Sequence, residues 1–209
     1  MVYRQVAVLS ALLLLVWPVV GADAAGTPAV AALQVALLRK GAYDGAVDGV
    51  AGPLTRAAVR RLQGRHGLVV DGIVGPQTRR VLGPFALHAP GSRVLRLGDR
   101  GWDVAAAQFE LAWDGFPSGS FDGSFGLHLA GAVRRFQRAR GLRVDGAVGP
   151  RTLAALREPT AVPPVRLRRP VDAPLGDRFG PRGDRFHAGV DFPAAAGAPV
   201  TAAAAGRML

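Results

Sequence analysis

The chain has no cysteine and no asparagine, and it has a single lysine (Lys40) and a single isoleucine (Ile73) among 209 residues. The lack of cysteine excludes both a disulfide framework and a cysteine that could carry a lipid. Arginine therefore supplies nearly all of the positive charge, a bias typical of a GC-rich genome. The net charge of +11 favours anionic partners such as nucleic acid, phosphate polymers or acidic wall material, without choosing among them.

A long apolar run lies at the N-terminus. After MVYRQ comes VAVLSALLLLVWPVV, and Ala22-Asp23-Ala24 then offers a cleavage motif. This layout predicts a secretory signal peptide over residues 1–24. The run is shorter than the ~20 residues that a spanning helix needs, although an uncleaved membrane anchor is the alternative. We expect a secreted protein of a bacterial cell envelope that starts near Ala25 and has no stable membrane span after signal cleavage.

The sequence contains an internal repeat with a spacing of 74 residues. Residues 30–82 align without a gap on residues 104–156, and nearly half of the aligned positions are identical. Each copy has three apolar segments with helical spacing, separated by glycine and Asp-Gly turns. The sequence therefore predicts two copies of one small helical domain, over residues 28–83 and 94–157, joined by a connection at 84–93.

Local signals set the expected helix boundaries. Gly41 and Gly67 end the first two segments of the first copy, and Gly75-Pro76 begins the third. Thr55 is the predicted N-cap of the second segment. Leu129 replaces it in the second copy, so that helix start should be weaker by roughly 1 kcal/mol.

Both copies carry the pattern V-x-x-L-Q…D-G…A-V-x-x-[LF]-Q…G-L-x-V-D-G-x-V-G-x-x-T over nearly their whole length. Matching positions are Gln34, Val59, Gln63, Asp71, Gly72, Gly75 and Thr78 in the first copy, and Gln108, Val133, Gln137, Asp145, Gly146, Gly149 and Thr152 in the second. The pattern resembles the peptidoglycan-binding domain of bacterial cell-wall hydrolases. That resemblance implies a three-helix bundle and peptidoglycan as a partner. The positive charge of the arginines also makes anionic wall polymers expected partners.

The candidate peptidoglycan contacts are Gln63, Asp71, Gln137 and Asp145. The alternative is that the Asp-Gly pairs are only turn residues and that the glutamines take part in core packing or capping. The basic helices RRLQGRHG and RRFQRARG also fit major-groove reading of DNA. Their arginines flank the buried Val59 and Val133, however, which predicts an ordinary solvated helix face. With the export signal, we expect no nucleic-acid partner.

A proline-rich linker is predicted over residues 158–174, and a segment of different character follows at 175–209. Its order of motifs, F-G-x-R, H-x-G-x-D, G-x-P-V-x-A and A-x-G, resembles the opening third of the lysostaphin-type zinc endopeptidases. The resemblance implies a β-rich fold, a zinc cofactor and cleavage of peptidoglycan peptides. His187 and Asp191 would be zinc ligands, with Arg182 and Gly189 near the site.

Geometry limits this site. On a straight strand, residues four apart are separated by roughly 13 Å, so the chain must bend at Gly189 if His187 and Asp191 are to share one ion. The alternative is an ordinary His–Asp hydrogen bond. The family takes its third ligand from a downstream H-x-H motif, and no His, Cys, Asp or Glu follows Asp191. We therefore expect no complete catalytic set, with zinc weakly held or absent and the domain incomplete.

The sequence thus predicts a mainly α protein, two three-helix bundles with a truncated β-rich C-terminal segment. Its predicted function is that of an exported wall protein that binds peptidoglycan and derives from a peptidoglycan-cleaving zinc endopeptidase. Whether it is an enzyme stays open, and we expect it to be inactive as written. The alternative is a non-catalytic wall-binding protein or a regulator of a partner hydrolase. Linking two weak binding domains would raise the affinity through effective concentration.

Overall fold

The computed structural model describes residues 26–158 and 168–203, so the predicted signal peptide lies outside the described residues. The helices are α1 (Pro28–Arg39), α2 (Pro53–Arg65), α3 (Pro76–Leu82), α4 (Trp102–Trp113), α5 (Leu127–Ala139) and α6 (Pro150–Arg157), with a 3-10 helix at Gly83–Ala86. Two short strands, β1 (Gly180–Arg182) and β2 (Arg185–His187), pair antiparallel. The predicted mainly α class is confirmed. Within the described ranges, no helix has the length and apolarity to cross a bilayer.

The helix starts differ in one respect from the prediction. α2 begins at Pro53 with Gly52 as its N-cap, so the capping role assigned to Thr55 is wrong. Thr55 is buried in the first turn, and its hydroxyl donates to the carbonyl of Val50 at 2.9 Å. Leu129 likewise packs in the core of the second repeat. Its replacement of threonine therefore fills a core position and removes no cap.

The two repeats share a core, which the predicted pair of separate domains did not include. α1 packs on α4, and the cluster between them consists mostly of small side chains at equivalent positions of the two copies. Its members are Ala31, Ala32, Val35 and Val47 from the first repeat, and Ala105, Ala106, Phe109, Ala112 and Phe121 from the second. Alanines let the two helix axes approach closely. The repeats therefore form one pseudo-twofold unit.

Two glycines of the Asp-Gly turns lie close to aromatic rings. Gly49 and Gly123 are equivalent in the repeats, and both have a positive φ (72° and 67°). A Cβ at Gly49 would lie 2.8 Å from the Phe109 ring, and one at Gly123 would collide with the ring of Phe85. The turns at Gly49 and Gly123 therefore need glycine for two reasons: the backbone conformation and the close approach of an aromatic ring.

The C-terminal segment packs on this pair of repeats through its hairpin. Phe186 on β2 contacts the rings of Trp113 and Phe121, with centroids 5.4 and 6.2 Å away. The hairpin turn also accepts two backbone hydrogen bonds, Gly183 O from Val47 N at 2.9 Å and Asp184 O from Phe121 N at 2.7 Å. One hydrogen bond thus comes from each repeat, at equivalent positions.

The end of the segment predicted as a linker belongs structurally to the C-terminal part. Arg168 N donates to Ala203 O and Thr201 N donates to Pro170 O, both at 2.7 Å. Val171 and Ala173 are buried. Residues 168–173 therefore pack with the chain around residue 201.

Candidate functional site

The predicted wall-contacting glutamines lie in buried polar clusters that hold the Asp-Gly turns. Gln63 is 2% exposed, and its side-chain NH2 is directed at Asp71 Oδ1 (2.7 Å), Ile73 O (2.9 Å) and Thr78 Oγ1 (3.2 Å). Its Oε1 accepts the Gly72 N–H at 2.8 Å. We call this set a glutamine–turn cluster. A buried amide that is fully paired in this way fixes the turn against the helix.

The same cluster recurs along the chain. Gln34 binds Asp48, Val50 O and Thr55, and accepts from Gly49 N. Gln137 binds Asp145, Ala147 O and Thr152, and accepts from Gly146 N. Gln108 binds Asp122 and Ser124 O and accepts from Gly123 N. The Gln108 cluster lacks a threonine, because Leu129 occupies the position that corresponds to Thr55 in the first repeat.

Asp71 and Asp145 are the exposed members of two clusters. The backbone N–H of Ile73, and after it the Gln63 amide, lowers the pKa of Asp71 below its ordinary value. The N–H of Ala147 and the Gln137 amide lower the pKa of Asp145 in the same way. Both carboxylates are therefore charged at neutral pH.

These contacts give the glutamines the structural role that was the alternative interpretation. Gln63 and Gln137 are buried and bonded within the fold. Asp71 and Asp145 are held in turns, yet they remain exposed. Direct contact of these four residues with peptidoglycan stays a prediction, and exposure favours the aspartates over the glutamines.

The structure brings together the second set of predicted site residues. The chain bends at Gly189, as sharing one ion requires, and His187 Nε2 lies 3.2 Å from Asp191 Oδ1. Nε2 is buried, and Asp191 is its close polar contact, although the geometry falls short of a hydrogen bond. A metal-binding pair and a His–Asp pair therefore both remain compatible with this arrangement. Arg182 Nη2 binds Asp191 Oδ2 at 3.1 Å and Asp177 Oδ2 at 2.6 Å.

The donor set decides whether a catalytic zinc fits here. Such an ion takes three protein ligands and keeps one open position for water. His187 and Asp191 could supply two ligands, but residues 26–158 and 168–203 contain no group of three His, Cys, Asp or Glu side chains placed to hold a metal. Arg182 also sets a positive charge beside Asp191. The described residues therefore do not fit a catalytic zinc.

Sequence reasoning missed how the parts are joined. It placed residues 84–93 as a connection, whereas Phe85 packs against the core clusters of both the first repeat and the shared interface. It also described the first segment only by apolar residues with helical spacing, whereas α1 is buried continuously from Val30 to Leu37. The available signal was the second apolar face of α1 and α4, formed by Ala31, Ala32, Ala105 and Ala106.

Comparison with known proteins places both repeats in one family. Residues 26–82 and 100–156 match the profile of the peptidoglycan binding domain. Together these ranges cover more than half of the chain, and they agree with the repeats predicted from the sequence.

Similar proteins are cell-wall enzymes. A spore cortex-lytic enzyme of Halalkalibacterium halodurans is 40% identical over 73 residues, which are 35% of this chain and 22% of that protein. The N-acetylmuramoyl-L-alanine amidase CwlM of Mycobacterium tuberculosis is 46% identical over 56 residues, 27% of this chain and 14% of that protein. The crystal structure of the SleB N-terminal domain is 40% identical and covers 32% of this chain and 93% of that chain, with a TM-score of 0.32. The chain thus matches less than a third of the curated relatives' length.

Proposed function

This chain belongs to the peptidoglycan binding domain family, and we propose that it is an exported cell-wall protein that uses its two repeats to anchor itself to peptidoglycan. The observation that carries the proposal is the family match over both repeats. The net charge of +11 supports it, because a basic protein is attracted to the carboxylates and phosphates of a wall.

The shared core determines how such an anchor would bind. The α1–α4 interface relates the repeats by a pseudo-twofold, so equivalent surfaces are held at one spacing and one relative orientation. Two binding surfaces on one rigid body gain affinity only where the wall offers two sites at that spacing. We therefore expect the pair to select local wall geometry, unlike two domains on a flexible linker.

We further propose that segment 175–209 is related to the lysostaphin-type zinc endopeptidases. The approach of His187 Nε2 to Asp191 Oδ1 at 3.2 Å supports this relationship. Two ligands would hold zinc weakly, so the function proposed for the described residues is binding without turnover. A regulator of a partner hydrolase is a further outcome that the test below can detect.

Sedimentation with purified sacculi tests the anchor. We expect the chain to pellet with sacculi, less so at high salt, and to release no soluble fragments. Failure to pellet would overturn the proposal. Fragment release that His187→Ala abolishes would instead identify an active endopeptidase, and faster release by an added amidase would identify a regulator.

Zinc binding is measured separately by equilibrium dialysis of the metal ion alone. We expect weak uptake that His187→Ala reduces. Arg178→Ala, at an exposed position of the same segment, is the matched control.

A further inference from the structure

A cleft of about 590 Å³ lies between the second repeat and strand β2. The side chains that matter to the argument are Ser118, Leu127, His128, Arg135, Arg185 and Phe186. The lining includes two arginines and a histidine but no aspartate or glutamate. Because β2 supplies Arg185 and Phe186, the cleft exists only where the C-terminal segment packs on the second repeat.

In the first repeat, a carboxylate neutralises the arginine that corresponds to Arg135. There Arg61 forms an ion pair with Asp44, with Nη2 and Oδ1 3.4 Å apart. The equivalent of Arg61 in the second repeat is Arg135, but the equivalent of Asp44 is Ser118. The second repeat therefore has the guanidinium without the carboxylate.

The bulk that fills this region in the first repeat is also missing from the second. Tyr43 is buried and donates its hydroxyl to Ala46 O at 2.6 Å. Its equivalent is Pro117, which lines the cleft and accepts a hydrogen bond from Arg135 Nη2 at 3.2 Å. In the first repeat a Cβ at Gly45 would lie 2.7 Å from the Tyr43 hydroxyl oxygen, whereas one at the equivalent Gly119, in the cleft, would meet no atom within 4 Å.

The polar groups of the cleft have unused hydrogen-bonding capacity. Ser118 Oγ is a buried atom without a hydrogen-bond partner, which is costly unless a ligand or water completes it. Among residues 26–158 and 168–203, no carboxylate forms an ion pair with Arg135 or Arg185. Two guanidinium groups and a hydroxyl that line one cleft are the kinds of donor from which a carboxylate accepts hydrogen bonds.

We propose that this cleft binds the free carboxylate of a peptidoglycan peptide, a proposal that rests on the proposed wall-anchoring function. Arg135, Arg185 and Ser118 hold the carboxylate. Leu127, which is 74% exposed, and Phe186 offer apolar contact to the neighbouring side chain of the peptide. This apolar wall favours a peptide over a phosphate polymer, which has little apolar surface to bury. The volume suits a ligand of a few residues.

The test uses the chain with soluble muropeptides released from sacculi, their carboxylates either free or amidated. Binding is followed by chemical-shift changes at residues 117–120 and at Arg185. We expect the free acids to bind and the amidated forms to bind about tenfold more weakly, the effect of one lost charge-assisted interaction. Equal binding of the two forms would overturn the proposal, and so would tighter binding of polyphosphate than of the free acids.

Matched variants come from the repeat itself. Ser118→Asp recreates the ion pair of the first repeat beside Arg135, so it should fold and should weaken binding of the free acids about tenfold. Arg185→Ala, at an exposed position of β2, should also weaken binding of the free acids about tenfold, and it changes no residue of the repeat. Asp44→Ser in the first repeat is the control and should leave this affinity unchanged. Undiminished affinity in both Ser118→Asp and Arg185→Ala would contradict the proposal.

Sedimentation with sacculi, run in parallel, separates the two proposals. If the chain pellets with sacculi but the free muropeptides cause no shifts around the cleft, the cleft proposal fails and the anchoring function stands. If neither occurs, both fail.

Discussion

Val47 and Phe121 occupy equivalent positions in the two repeats, and each donates its backbone N–H to one carbonyl of the same hairpin turn. The acceptors are the neighbouring residues Gly183 and Asp184, at 2.9 and 2.7 Å. The two donors are related by the pseudo-twofold axis between the repeats. A single hairpin turn on that side of the pair therefore accepts a hydrogen bond from each of them. These two hydrogen bonds tie the hairpin to both repeats, and its ring contacts add Trp113 and Phe121 of the second repeat.

Phe186→Ala should release the hairpin. The ring contacts Trp113, Phe121 and Phe179, and its loss from this partly buried cluster should cost about 2 kcal/mol. We expect the amides of Val47 and Phe121 to lose protection together in hydrogen exchange. Val200→Ala, at a position 75% exposed, is the control and should change neither amide. Retained protection in Phe186→Ala would show that the hydrogen bonds hold the hairpin without the aromatic contacts.

Gly123→Ala should destabilise the chain more than Gly141→Ala. Both glycines have a positive φ, 67° and 64°, so both substitutions carry the backbone penalty of about 1 kcal/mol. A Cβ at Gly141 would meet no atom within 4 Å, whereas one at Gly123 would also collide with Phe85 and lie 2.8 Å from Gly101 O. Overpacking adds about 1–3 kcal/mol. Urea denaturation measures the difference, and equal losses would show that Phe85 moves aside freely.

Gln63→Ala should cost more stability than Gln108→Ala. The Gln63 amide is directed at three acceptors, including Thr78, whereas the Gln108 cluster has no threonine. Each substitution leaves a glycine N–H without its acceptor, partly buried at Gly72 and buried at Gly123, which costs about 1–3 kcal/mol. We expect Gln63→Ala to lose roughly 1 kcal/mol more. Thermal melts of the two variants check this order of stability. A reversed order would show that the glutamine–turn cluster with its threonine does not provide the extra stability.

Asp71→Asn tests the predicted wall contact without removing the turn residue. An asparagine oxygen can still accept from the Ile73 and Gln63 N–H groups. The variant should therefore fold. Any loss of sacculus binding would show that the exposed negative charge of Asp71 contributes to binding. Asp122→Asn, in the equivalent kind of cluster formed by Gln108, gives the comparison. Unchanged sedimentation of Asp71→Asn would remove Asp71 from the contact surface.

Stability should fall as the pH rises through the range in which Glu110 ionises. Burial, with Asp114 adding to it and Arg157 opposing it, raises the pKa of Glu110 from 4.5 to about 7. The protonated form is favoured by folding, so this contribution is complete below pH 4.5 and is lost as the pH rises to about 7. Glu110→Gln should therefore be more stable than wild type at pH 8, by up to about 3 kcal/mol, and similar to it near pH 4.5. Denaturant midpoints across this range, with exposed Glu158→Gln as control, check the sign.

The repeats were predictable because their signals are local. A period of 74 residues, glycines at positive φ such as Gly72 and Gly146, and prolines at helix starts such as Pro76 and Pro150 need no tertiary information. Thr55 was misjudged because threonine near a helix start suits two roles. Its partner, Gln34, is 21 residues away and lies on another helix, so sequence spacing could not reveal the buried hydroxyl.

The assembly of the parts was not predictable in the same way. An alanine such as Ala105 scores as a good helix former whether it faces solvent or a second helix, so the second apolar face of α1 and α4 was only a weak signal of their packing. The cleft is another case, because it depends on β2 and the second repeat meeting in space. The bend at Gly189 could be inferred, since only a bent chain lets His187 approach Asp191.

The alanine-rich interface between α1 and α4 also bears on how the duplication has been inherited. Domains that fold separately can be lost or exchanged one at a time during evolution. Here, removal of either copy would uncover the face formed by residues such as Ala31 and Ala105 and would take away one of the two donors that hold the hairpin. We therefore expect the pair to be inherited as a single unit, within which individual positions can differ between the copies, as Asp44 and Ser118 do.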